Sequence, residues 1–129
     1  MNNGVLIGYT RKYSNIQPGD TYPQLNVRYD DRTAFTLSQD DVNWVICTTS
    51  ASAVTITLPR MSLRSGECIH IKQDGAGQVT ISPNSDITID VASTAKKTRA
   101  QNSVVTLLKE DDSRQSEQVW LLFGDFASS

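Results

Sequence analysis

The chain has one histidine, His70, and two cysteines, Cys47 and Cys68. A Ser-His-Asp system would have to run through His70, and no Gly-x-Ser-x-Gly nucleophile elbow accompanies it. Two cysteines are too few for a disulfide scaffold, and their spacing with a single histidine matches no zinc pattern. Buried free thiols are therefore expected. Acidic pairs stand at Asp30-Asp31, Asp40-Asp41 and Asp111-Asp112. Adjacent carboxylates attract hard cations, but none of the three sits in a spaced Asp-x-Asp-x-Asp-Gly loop with a distal Glu. They read as solvated turn residues. Gly75-Ala76-Gly77 follows no lysine-bearing phosphate motif and reads as a hairpin turn. These residues predict no enzyme, no bound metal and no cofactor.

The elements that would carry these residues are short strands. Thr, Val and Ile supply 32 of the 129 residues, and these types suit a pleated, half-buried surface. Residues 53–58 alternate Val54, Ile56 and Leu58 against Thr55 and Thr57 until Pro59, which cannot donate to a ladder. The same period of two sets Ile69 and Ile71 inward, then Val79 and Ile81, then Ile89. Residues 43–49, 103–109 and 118–123 are denser apolar runs, as expected of strands covered on both faces. About eight strands with turns every 8–12 residues point to an all-β domain, read as an antiparallel, jelly-roll-like β-sandwich. Its expected core includes Leu107 and Leu122 as well. Val54-Thr55-Ile56, Val79-Thr80-Ile81 and Val105-Thr106-Leu107 recur about every 25 residues. A repeating solenoid would do this, but the flanking residues do not repeat, so convergent strand chemistry is preferred. Residues 92–101 carry no apolar stripe and read as a polar connection.

Twelve Lys and Arg against fourteen Asp and Glu give a net charge of -2, which argues against a nucleic-acid binder. No apolar run approaches the ~18 residues of a membrane span, and no secretory leader is expected. Residues 1–32 differ from the rest. They hold all four tyrosines, Tyr9, Tyr13, Tyr22 and Tyr29, interleaved with Arg11, Lys12, Arg28 and Arg32, and two prolines break any regular element. Tyrosine offers large contact area at low entropic cost. The domain division expected is thus an irregular N-terminal arm, 1–32, and a β-sandwich domain, 33–129. Tyr9, Arg11, Tyr13, Tyr22 and Tyr29 are the candidate partner-binding residues.

The segments at residues 54–59, 66–73, 75–81, 97–107 and 120–125 occur in an order that resembles a β-domain recurrent in structural proteins of tailed bacteriophages. Similar modules are found in head-decoration, head-fibre and tail-fibre chains. The resemblance covers about residues 35–126 and rests on strand-and-turn chemistry. It implies a non-enzymatic virion component, commonly a homotrimer, assembled in the bacterial cytoplasm. The chain has no heptad repeat from which to build a fibre shaft. A capsid decoration protein, bound through its arm to the major capsid protein or another virion protein, is the preferred role. The alternative is a glycan-binding fibre module in which Trp44 or Trp120 stacks on sugar.

Overall fold

The computed structural model describes residues 24–110 and 118–129. The described residues form nine strands: β1 (Asn26–Asp30), β2 (Ala34–Thr36), β3 (Trp44–Thr48), β4 (Val54–Leu58), β5 (Cys68–Gln73), β6 (Val79–Pro83), β7 (Ile87–Asp90), β8 (Val104–Lys109) and β9 (Gln118–Gly124). Among the described residues, one 3-10 turn spans Gln39–Asp41. The expected all-β class is observed.

Pairing departs from the antiparallel arrangement expected. One sheet has six strands in the order β1-β3-β5-β8-β9-β7, and the other has three, β2-β4-β6. Five pairings are parallel, and only β5–β8 and β8–β9 are antiparallel. The cause lies in the connections. From β1 to β6 the chain alternates between the two sheets. Each strand crosses to the other sheet and returns before it meets its neighbour, so the neighbour runs in the same direction. The result is a parallel winding of three coils, β1–β2, β3–β4 and β5–β6, which β8 and β9 close on one side. The 25-residue echo is part of this winding: Val54 pairs with Val79, Thr55 with Thr80 and Ile56 with Ile81. Its third copy belongs elsewhere, since Val105 and Leu107 pair with Ile71 and Ile69 of β5 in the opposite direction.

Both sheets contribute to one core. Val54, Ile56, Leu58, Val79 and Ile81 from the small sheet pack in the same cluster as Ile46, Ile69, Ile71, Val105, Leu107, Trp120 and Leu122 from the large one. Every residue that period-two spacing assigned to the core is buried. Alternation predicts facing correctly because side chains on a pleated strand must point to opposite sides.

Gly75 and Gly77 do not make a hairpin. They lie in the corner 74–78 between β5 of the large sheet and β6 of the small one, stacked on the preceding corner, 49–53. Gly75 N and Asp74 N both donate to Thr48 O, at 2.8 and 2.9 Å, and Gly77 N donates to Ser50 O at 3.0 Å. A β-carbon on Gly77 would overlap the Ser52 carbonyl oxygen and lie 2.5 Å from its carbon. Glycine is needed here for the close approach of two backbones.

Two buried amides fasten irregular segments to this body. Gln118 receives Met61 N at 3.1 Å and donates to Met61 O at 2.7 Å, while the same side-chain oxygen accepts from Trp120 Nε1 at 3.1 Å. Gln73 donates to Gly75 O and Ala76 O and accepts from the Thr98 hydroxyl. Thr98 N in turn donates to Val79 O at 3.0 Å and Ile81 N to Lys96 O at 2.7 Å. The polar connection expected over 92–101 thus runs along β6 and covers its outer edge.

Candidate interaction surface

The inner positions of the large sheet are filled by the core, so its outer positions define what the molecule presents. Strand register arranges them in rows. One row runs Tyr29, Cys47, Lys72 and Val104 across β1, β3, β5 and β8. A second runs Val27, Val45, His70, Thr106 and Phe123, reaching β9. Cys68, Leu108 and Leu121 begin a third. Large apolar side chains are exposed at Leu25 (50%), Val27 (54%), Tyr29 (69%), Val104 (41%) and Phe123 (44%). Four of these residues stand on the outer face of this sheet, and Leu25 continues the alternation just ahead of β1. Among the described residues, no other large apolar side chain is exposed.

The polar groups in the middle of this face are satisfied by one another. His70 Nδ1 and Thr106 Oγ1 are 2.8 Å apart. Burial lowers the His70 pKa, so the ring is uncharged at neutral pH. Lys72 Nζ lies 2.9 Å from Asp74 Oδ1, which holds its ammonium charged and neutralised. Burial raises the pKa of both thiols, which keeps Cys47 and Cys68 protonated, and both are free. Cys47 is buried as expected, while Cys68 is only half-buried.

No family model matches the chain, and no curated protein matches its sequence. The surface must therefore be read from its own residues. Of the expected partner-binding residues, Tyr29 is on this face, at the edge strand β1. Tyr9, Arg11, Tyr13 and Tyr22 lie outside the described residues. The stretch 1–32, read as an arm, includes β1, which pairs in parallel with β3 over its whole length. The alternation of Leu25, Val27 and Tyr29 was the signal for that strand, and the surrounding prolines and arginines obscured it.

Two acidic residues expected in solvated turns are instead buried. Asp30 is 5% exposed and Asp41 is 7%. Asp30 takes Arg32 in a two-point clasp, Nη2 at 2.7 Å and Nε at 3.0 Å, and Arg28 Nη1 at 2.8 Å. Arg28 reaches on to Asp41 at 3.1 Å, and Asp41 also caps the 3-10 turn by accepting from Ser38 N at 2.9 Å. The hydrogen bonds from Arg32 are the main reason the Asp30 carboxyl is held well below its ordinary pKa. Both guanidinium groups lie over the Phe35 ring, 5.6 and 4.9 Å from its centre. Charge thus closes the end of the core beside the first coil. Of the two tryptophans considered as sugar platforms, Trp120 is wholly buried in the core, and Trp44 is half-buried on β3. No helix among the described residues is long and apolar enough to cross a membrane.

Proposed function

We propose that this chain is a non-enzymatic structural protein of a bacteriophage virion, a capsid decoration protein held on the head shell as a homotrimer. The observation that carries the proposal is the concentration of exposed apolar side chains on one face of an otherwise closed β-body. Exposed apolar side chains gathered on one face, here at β1 and again at β8 and β9, mark a protein contact rather than a solvated face. The resemblance adds support, because its quoted segments fall on β4, β5, β6, β8 and β9, all members of one core. In this role the β-body is a rigid plug, and the tyrosine- and arginine-bearing stretch around Tyr9, Arg11, Tyr13 and Tyr22 supplies contacts to the major capsid protein or a neighbouring virion protein.

The test is addition of the full chain to purified undecorated heads and, separately, to purified tails, followed by sedimentation. Saturable binding to heads at a fixed ratio is expected. Alanine at Tyr9, Arg11, Tyr13 and Tyr22 together should weaken it. Binding to tails alone, or to neither particle, would overturn the decoration role.

A further inference from the structure

We infer that the open edge of β1 is the docking site for the chain's own segment Val5–Tyr9, which adds to it as a parallel strand. The inference goes beyond the decoration role and says where the arm is seated.

The winding is open at its first coil. β1 ends the large sheet and β2 ends the small one, so both sheets stop on the same side. In a parallel ladder, alternate residues turn their N–H and C=O groups to opposite sides of the strand. Asn26 N donates to Asn43 O at 3.2 Å, and Asp30 O accepts from Thr49 N at 2.9 Å. Asn26, Arg28 and Asp30 therefore face β3, and Val27 and Tyr29 turn their groups to the free edge. In β2, Thr33 O accepts from Thr55 N and Leu37 N donates to Thr57 O, which leaves the groups of Ala34 and Thr36 at the same open end. Among the described residues, no strand pairs with either edge. The far side of the small sheet differs, because residues 96–98 bond along β6 there. Unpaired edges recruit strands, and stacked coils need a terminal unit that closes them.

The sequence points to the occupant. Leu25, Val27 and Tyr29 are preceded, twenty residues earlier in each case, by Val5, Ile7 and Tyr9. The first described coil advances by 18 residues from Asn26 to Trp44 and by 21 from Ala34 to Thr55, and twenty falls between the two. In that register Ile7 pairs with Val27 and Tyr9 with Tyr29, so the exposed apolar side chains of β1 gain apolar neighbours. Gly8 falls beside Arg28, where it adds no side chain to crowd the guanidinium that reaches Asp41. The length of chain is sufficient. Residues 10–24 connect Tyr9 to Leu25, fifteen in all, whereas thirteen, 31–43, carry the chain from Asp30 through β2 to Trp44. A strand from another molecule must compete with one tethered this closely, and a short tether gives a high effective concentration.

The experiment is amide hydrogen exchange on the full chain, read residue by residue by nuclear magnetic resonance. The Arg28 and Asp30 amides face β3 and serve as the internal reference. The Val27 and Tyr29 amides should also be protected, on the order of 100-fold or more over the free-chain rate, with a nuclear Overhauser contact between Ile7 and Val27. Gly8→Pro removes the donor that this register aims at Val27 O. It should cut protection at Val27 and Tyr29 about tenfold or more while Arg28 and Asp30 keep theirs. Free-chain exchange at Val27 and Tyr29 in the wild type would overturn the inference. So would protection that survives Gly8→Pro, since something other than this segment would then cover the edge. Protection that grows with protein concentration would assign the edge to a second copy and overturn it equally. Should Gly8→Pro lose the wild-type circular dichroism spectrum, the Ile7–Val27 contact in the wild type decides, and its absence overturns the inference. Head binding is a separate measurement, so failure here leaves the decoration role to its own test.

Discussion

Replacing Gly77 by alanine tests the stacked corners directly. The new methyl would lie 2.5 Å from the Ser52 carbonyl carbon and 3.0 Å from Ser50 O. Carbon atoms in contact sit about 3.5–4.0 Å apart, so the two corners must separate by roughly 1 Å. That separation strains the hydrogen bond from Gly77 N to Ser50 O, costing up to about 1 kcal/mol. Overpacking against backbone costs about 1–3 kcal/mol more. Alanine stiffens the unfolded chain, which offsets about 0.4–1 kcal/mol. The net expectation is a loss of about 2–3 kcal/mol. For a chain of this length that is roughly a 10 °C fall in Tm, read by urea and thermal denaturation. Gly66→Ala is the informative control. Its β-carbon would meet nothing within 4 Å, but φ is +93°, so only backbone strain of about 1 kcal/mol is expected. In an antiparallel hairpin Gly77 would stand at a solvated tip, and alanine there would be neutral or stabilising. A Gly77→Ala protein as stable as wild type would therefore refute the corner stacking.

The Asp30 clasp predicts a pH dependence. Its pKa is lowered on folding, so its contribution is fully present above the unfolded value of about 3.9 and is lost as pH falls toward the folded one. Asp30→Asn should cost about 2–3 kcal/mol at neutral pH, less than a fully buried pair because Arg32 is exposed to water, and the gap to wild type should narrow below about pH 4 in urea titrations. Gln118→Ala removes both bonds to Met61 and the acceptor of Trp120 Nε1. It should destabilise by about 2–4 kcal/mol by denaturant titration, whereas a loss under about 0.5 kcal/mol would show that the clasp contributes little.

Which residues face inward was legible in the sequence because alternation is a local property. Val54, Ile56 and Leu58 announce their face whatever strand lies beside them. The direction of pairing was not legible, because it is set by where a connection takes the chain. Residues 49–53 and 74–78 carry ordinary turn residues, and those residues permit a corner between sheets as readily as a hairpin within one. The 25-residue spacing was the one sequence trace of the parallel winding. It looked accidental because the ladder it marks preserves only the strand positions, while the flanks differ. Asp30 and Asp41 were misread for a related reason. Arg28 and Arg32 lie two residues from Asp30, but Arg28 meets Asp41 across thirteen residues, and burial of the group depends on Phe35 and the end of the core. Of the candidate surface, Tyr29 was identified; Val104 and Phe123 were hidden inside runs dense enough to read as buried on both sides.

The spacing between coils carries an evolutionary consequence. Neighbouring coils are offset by 18 residues at Asn26 and Trp44, by 21 at Ala34 and Thr55, and by 25 at Val54 and Val79. Strand register survives these differences, so changes in length are absorbed entirely between strands. One residue gained or lost inside a strand would turn its downstream apolar side chains to the opposite face. The route to length variation is therefore narrow. It runs through the connection 59–67, whose neighbour 37–43 already differs in length, and it avoids the corners 49–53 and 74–78, whose equal lengths keep Gly75 and Gly77 seated on the carbonyls beneath them. The first corner, 31–33, is already shorter than the two that follow it, so descendants of this chain should keep the lengths of 49–53 and 74–78 and diverge in size at the other connections.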